Sequence, residues 1–147
     1  MVSTGFSKSD LIAIRPDGNG DVTDTHVAWT VTKGVGNKPS PLMVGDLIYT
    51  VSDKAGIASC LDAKTGTGVW QHRIGGGAHS ASPLFADGAI YFFGEDGSAV
   101  AVEPGRKFQE LGRGQVDEGG VMGTPAIAGD SIFLRTESHL YRLKKRP

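Results

Sequence analysis

Short apolar patterns return along this chain at a fixed lag of 42 residues, and that lag limits the fold more than any other feature. Ser40-Pro41-Leu42 recurs as Ser82-Pro83-Leu84 and again as Thr124-Pro125-Ala126. Ile48-Tyr49 recurs as Ile90-Tyr91 and Ile132-Phe133. Between each pair sits a turn: Gly45-Asp46, Asp87-Gly88 and Gly129-Asp130. Units of this size cannot enclose a core alone, so each must bury its apolar face against the next unit in the row.

Within a unit the pattern is β. Leu42 to Val44 and Leu47 to Val51 flank a Gly/Asp turn, and the second segment is rich in β-branched and aromatic residues. The turn Asp53-Lys54-Ala55-Gly56 leads to Ile57 to Leu61, and Asp62-Ala63-Lys64-Thr65-Gly66 leads to Val69 to His72. The following unit predicts strands at Leu84 to Ala86, Ile90 to Phe93, Ala99 to Val102 and Lys107 to Leu111. Glycine is about twice as frequent as in ordinary proteins, 22 of 147 residues, and with seven prolines it breaks every segment before a helix of normal length could form. Ala89-Ile90-Tyr91-Phe92-Phe93 is apolar on both faces, so its sheet should be covered on both sides.

Four-stranded antiparallel meanders, covered on both faces and repeating in the low forties, predict the blades of an all-β β-propeller. Leu11-Ile12-Ala13-Ile14 parallels Ala58-Ser59-Cys60-Leu61, so the first unit opens in its second strand. Its third turn is about six residues longer than in the next unit, around Asp17-Gly18-Asn19-Gly20-Asp21. The last unit stops after its third strand, His139 to Leu143. The expectation is a single partial propeller domain over residues 1–147, with units of about 1–38, 39–80, 81–122 and 123–147. That is about 3.5 blades, with three, four, four and three strands.

Cys60-Leu61-Asp62-Ala63-Lys64-Thr65-Gly66-Thr67-Gly68-Val69-Trp70 resembles the tryptophan-docking motif of the pyrroloquinoline-quinone-like (PQQ-like) β-propeller repeat family. That motif reads Ala-x-Asp-x-x-Thr-Gly-x-x-x-Trp, and only Cys60, in place of alanine, departs from it. Weaker echoes are Ile12-Ala13-Ile14 with Trp29, and Val100-Ala101-Val102-Glu103 with Phe108. Physically, Asp62 and Thr65-Gly66 suit a tight turn, with a side-chain acceptor at its start and a glycine for positive φ. Trp70 is expected to cover that turn and the neighbouring blade, burying on the order of 150–250 Å². The resemblance implies the same structural role.

The family has two kinds of member. Quinoprotein dehydrogenases hold quinone and calcium at the propeller axis, with a vicinal cysteine pair and a tryptophan stacked on the cofactor. The other kind is a scaffold or interaction module; an outer-membrane-assembly lipoprotein and the sensor-like propellers of some bacterial kinases belong to it. This chain has one cysteine, and both its tryptophans stand at docking positions. The resemblance therefore implies a bacterial scaffold with no cofactor and no catalysis. The alternative is part of a quinoprotein-type enzyme whose catalytic residues lie on other blades or a partner chain.

Other constellations carry less. Fifteen Lys and Arg against sixteen Asp and Glu give a formal charge of −1, so no nucleic acid or anionic membrane is attracted by charge. Ala89 to Phe93, the longest apolar run, is too short to cross a bilayer. Met1 to Asp10 lacks the apolar stretch of an export signal, although relatives of this kind are often exported, and the compartment stays undetermined. Asp17 to Asp21 begins like a calcium loop, but Val22 stands at its sixth position and Ala28 at its twelfth; a polar hairpin loop is expected. Gly75-Gly76-Gly77 is followed by no phosphate-loop pattern and reads as a flexible link between blades, as does Gly119-Gly120. His26, His72, His79 and His139 fall in different units and make no zinc pair, and His79-Ser80 has no visible acid partner. Cys60 reads as buried packing, and Lys144-Lys145-Arg146 as a solvated tail. No residue is named as catalytic, cofactor-binding or metal-ligating.

The propeller reading places two kinds of loop on one face, those linking successive blades and those between second and third strands. Here they are Lys33 to Lys38, Arg73 to Ser80 and Gly112 to Val121, with Asp53, Glu95, Asp96, Glu137 and His139. Their mixed charge suits a protein or peptide ligand. An incomplete ring leaves two apolar faces open, which predicts a homodimer. A twofold axis requires an even number of blades, so eight are expected, two complete and two incomplete from each chain, in preference to six.

Overall fold

A computed structural model of the chain describes residues 1–5, 9–116 and 120–144. Every regular element among them is a β-strand. The first sheet holds β1 (Val2–Thr4), β2 (Asp10–Ile14) and β3 (Val27–Val31). The second holds β4 (Leu42–Val44), β5 (Leu47–Val51), β6 (Ile57–Asp62) and β7 (Gly68–Arg73). The third holds β8 (Leu84–Ala86), β9 (Ala89–Phe93), β10 (Ser98–Val102) and β11 (Glu110–Gln115). The fourth holds β12 (Ala126–Ala128), β13 (Ser131–Arg135) and β14 (Leu140–Lys144). Each sheet is an antiparallel meander in chain order, so the all-β, four-sheet reading of the repeat holds.

Turn chemistry fixes the hairpins. Asp87 and Gly88 both take positive φ, 47° and 76°, the pair that a type I′ turn demands between β8 and β9. The triple glycine is a tighter structure than a flexible link. All three residues have positive φ, and a Cβ on Gly76 would lie 2.7 Å from Ser98 Oγ and 3.1 Å from Gly94 Cα. The crossing from β7 to β8 is held where only a bare backbone fits.

Packing runs from sheet to sheet. Leu11, Ile48 and Leu61 join the first sheet to the second, with Trp29 and Val31 packed against them. Tyr49, Val51, Ile74, Ile90, Phe92 and Val102 form the main core between the second and third. Ala81, Phe93, Val121 and Leu134 join the third to the fourth. Every residue of β5 is buried, and β9 is buried except for a half-exposed Tyr91, as two-sided coverage requires. β11 is exposed along its whole length.

One strand departs from expectation. The fourth strand of the third sheet is Glu110–Gln115, and residues 107–109 lie outside it. The second sheet holds that loop: Gly105 N donates to Tyr49 Oη at 2.8 Å, and Gly105 O accepts from Trp70 Nε1 at 3.0 Å. Phe108 then lies edge-on to Trp70 at 5.2 Å and stacks on His72 at 3.9 Å. Residues tied to the preceding sheet cannot also continue the ladder of their own.

Candidate functional site

Equivalent positions in the three seams between sheets can be compared through strand register. Ala13 pairs with Trp29, Cys60 with Trp70, and Ala101 with Gly112, each beside the same bulge. Trp29 Nε1 donates to Ala63 O at 3.2 Å, so the first sheet is fastened to the second. Trp70 Nε1 donates to Gly105 O at 3.0 Å, and its ring meets Tyr49 at 5.9 Å, fastening the second to the third. The acceptors Ala63 and Gly105 are one repeat apart, and so are the register positions Trp70 and Gly112. Phe108 is therefore no counterpart of the tryptophans; the residue in their register is Gly112.

The turn after β6 is built as its composition predicts. Asp62 Oδ1 accepts from Lys64 N, Thr65 N and Thr65 Oγ1 at 3.1 to 3.2 Å, and Gly66 has φ +70°. It is covered by Trp29 of the preceding sheet, not by Trp70: a Cβ on Gly66 would lie 2.7 Å from the Trp29 ring. Arg106 bridges Asp46 at 2.7 Å and Asp62 at 2.8 Å across the second seam, and holds the Asp62 carboxyl below its ordinary range. Cys60 is fully buried, and that burial pushes its thiol up to about 11, which leaves it protonated and unreactive at neutral pH.

The third seam is closed only in part, by the cluster around Phe93 and Leu134. Leu61 and Val102 are 4% and 0% exposed in the first two seams, but Leu143, in the matching row of the fourth sheet, is 39% exposed. A Cβ added to Gly112 would meet nothing within 4 Å. The result is a groove of about 740 Å³, lined by Tyr91, Phe93, Ala101, Gly112, Ile132 and Leu143 among others.

A second feature lies where the linkers meet the turns. Asp53 accepts from Asn37 N at 2.9 Å, from Asn37 Nδ2 at 2.9 Å and from Lys38 N at 3.0 Å. Lys38 Nζ reaches Ser80 Oγ at 3.1 Å and Glu95 at 3.3 Å, and Ser80 Oγ donates to Glu95. Ser80 thus has an acid partner after all. That hydrogen bond, with Lys38, holds the Glu95 carboxyl below its usual range, so it is a poor base for activating the hydroxyl. His79 is buried, its Nδ1 lacks a partner, and burial lowers its pKa, so the ring is neutral. Asp53, Glu95 and Glu137 stand one repeat apart, a signal that a search of the repeat for recurring carboxylates would have caught.

The remaining candidates are placed as follows. Asn37 and Lys38 of the first linker meet Asp53, and of the second linker His79 meets Asp53 while Ala78 and Ser80 meet Glu95. Gly120 packs against Glu95 O, while residues 117–119, including Gly119, lie outside the described residues. Thr136 N donates to His139 O, closing a separate turn, and His139 meets Tyr141 at 5.7 Å. The loop from Asp17 to Asp21 is exposed and self-contained, with Asp21 accepting from Thr23 N at 3.0 Å and His26 3.7 Å from Asp17. Among the described residues no cluster of three His, Cys, Asp or Glu could hold a metal ion. Lys145 and Arg146 of the basic tail also lie outside those residues; Lys144 pairs with Asp130 at 2.6 Å.

Comparison with known proteins agrees with this architecture. A family model described as outer membrane protein assembly factor BamB matches residues 21–146. The outer membrane protein assembly factor BamB of Burkholderia pseudomallei (strain K96243) is 31% identical over 121 residues, which covers 78% of this chain and 29% of that protein. The crystal structure of BamB from Moraxella catarrhalis superposes with a TM-score of 0.71 at 21% identity, over 93% of this chain and 41% of that one. The quinohemoprotein alcohol dehydrogenase ADHIIG from Pseudomonas putida HK5 gives 0.57 at 16% identity, over 71% and 17%. At these identities the two structures show a shared fold alone. The chain spans less than half the length of each of these relatives.

Proposed function

The chain belongs to the family of the outer membrane protein assembly factor BamB, and on that premise we propose that it is a propeller segment acting as a protein–protein interaction module, without chemistry of its own. Its partners would be polypeptides handled in outer-membrane protein assembly. Trp29 and Trp70 would serve as docking residues between blades, and a second copy would complete the ring. The face formed by the blade linkers and the turns after each second strand would meet the partner.

The network of Asp53, Lys38, Ser80 and Glu95 carries this reading. It ties the linkers of two units to two turns and presents a fixed surface of mixed charge, which suits a polypeptide. Its one hydroxyl is bonded to a carboxylate of lowered basicity, an arrangement for rigidity and not for nucleophilic attack.

Two measurements test it. A photoreactive residue at Lys38 should cross-link to an unfolded outer-membrane protein or another assembly component, whereas adducts confined to the opposite face would overturn the assignment of the surface. A dye-coupled dehydrogenase assay with quinone and calcium should give no turnover. Turnover would establish the enzyme reading.

A further inference from the structure

From the seam geometry we propose that the groove between the third and fourth sheets receives a tryptophan side chain carried by a separate partner polypeptide. The molecule itself supplies the template. Two seams of the same register are sealed by an indole whose N–H donates to a main-chain carbonyl of the next sheet, at 3.2 and 3.0 Å. The third has Gly112 in that register. Tyr91 stands one repeat after Tyr49, which meets the ring of Trp70 at 5.9 Å, and it lines the groove where an entering indole would lie.

The apolar row opposite is prepared in the same way. Ile127, Ile132 and Leu143 are cross-strand neighbours, matching Met43, Ile48 and Leu61 and then Phe85, Ile90 and Val102. Ile48 and Ile90 are fully buried, whereas Ile132 is only partly buried, and Leu143 is 39% exposed where Leu61 and Val102 are 4% and 0%. The groove is continuous with an established interface, because Phe93, Tyr91 and Ala99 line it and also belong to the packed cluster joining the two sheets.

The occupant follows from three observations. The register of Gly112 and the facing tyrosine suit an indole, by precedent within the chain. A second copy has none to offer, since Trp29 and Trp70 are both bonded into seams. A polypeptide is favoured over free indole because β11 is an edge strand, and a Cβ on either Gly112 or Gly114 would meet nothing within 4 Å. Glycines in a strand leave room for another backbone to approach, and an unpaired edge offers it main-chain hydrogen bonds.

The test is a titration of the full chain with the blocked peptide acetyl-Gly-Trp-Gly-amide, followed by amide chemical shifts. Shifts are expected at Ala101, Gly112, Gly114 and Ile132, with free indole and the leucine analogue each binding at least roughly tenfold more weakly. Gly112→Trp should fill the groove from within, raise the melting temperature and abolish these shifts. Gly112→Val, a smaller filling, should weaken the peptide at least roughly tenfold if the tryptophan variant does not fold. The proposal is overturned if no shifts appear, if the leucine peptide or free indole binds as well, or if the Gly112 variants bind unchanged. Shifts of the same amides on concentrating the chain without peptide would assign the groove to a second copy and also overturn it. None of these outcomes bears on the loop face, whose cross-linking is read separately.

Discussion

Gly66 shows how much one residue decides. It turns the chain at φ +70°, and the Trp29 ring occupies the space a side chain would need, 2.7 Å from an added Cβ. Gly66→Ala should therefore lower stability by about 1 to 3 kcal/mol, read as a shifted urea midpoint at unchanged slope. Asp62 makes a pH-dependent contribution at the same turn. Arg106 and the hydrogen bonds of Thr65 and Lys64 hold its carboxyl below the ordinary value of 3.8. A depressed carboxylate stabilises the fold above its unfolded value and loses that contribution as pH falls through its folded one. Asp62→Asn should be less stable than the parent at pH 7, and the gap should close as the pH falls below 3.8; urea midpoints at pH 7 and pH 3 would show whether it does. The sequence displayed this turn because Asp, Thr and Gly act within five residues of one another. It did not display the Ser80 to Glu95 bond, since the fold alone brings those two together across a blade junction.

At the level of strands, periodicity and turn residues placed all but one of the strands they bounded within a residue or two. The exception, β11, was hidden by Phe108, an aromatic that sits near the expected docking position but belongs to a loop held by the second sheet. Local pattern cannot separate a strand aromatic from a loop aromatic packed on its neighbour. The register did so, by pairing Ala101 with Gly112 as Cys60 pairs with Trp70. Two substitutions measure the consequence. Trp70→Ala should cost about 3 kcal/mol, the low end for a large aromatic because the ring is only partly buried, and it should loosen the third sheet from the second. Phe108→Ala lies outside any strand, yet it should still cost about 1 kcal/mol through its lost contacts with Trp70 and His72. Thermal melts of both, with amide exchange on β9 and β10, separate local loosening from global loss.

Across the whole molecule, the three seams are unequal and the two end sheets have uncovered faces. The repeat made the stacking legible. It could not reveal which seams close, because that depends on single positions such as Gly112 whose meaning appears only in register. Ile14 and Val27 are direct cross-strand neighbours in the first sheet, 40% and 39% exposed, an apolar pair at the outer end of the row. The proposed ring would cover them with a blade from a second copy. A row of 3.5 units paired with its copy holds the material of seven blades, but a twofold axis cannot act on an odd ring. The proposed pair is therefore expected as a ring of eight, in preference to six, with its incomplete blades as separate members. Light scattering over a concentration series should then find a species of twice 15.4 kDa. Ile14→Glu should return it to a monomer with unchanged far-ultraviolet dichroism, since the charge would enter an interface and not a core. A monomer at every concentration of the parent chain would refute ring closure by two copies and leave the open faces to other proteins, with the groove beside Gly112 the first place to look for them.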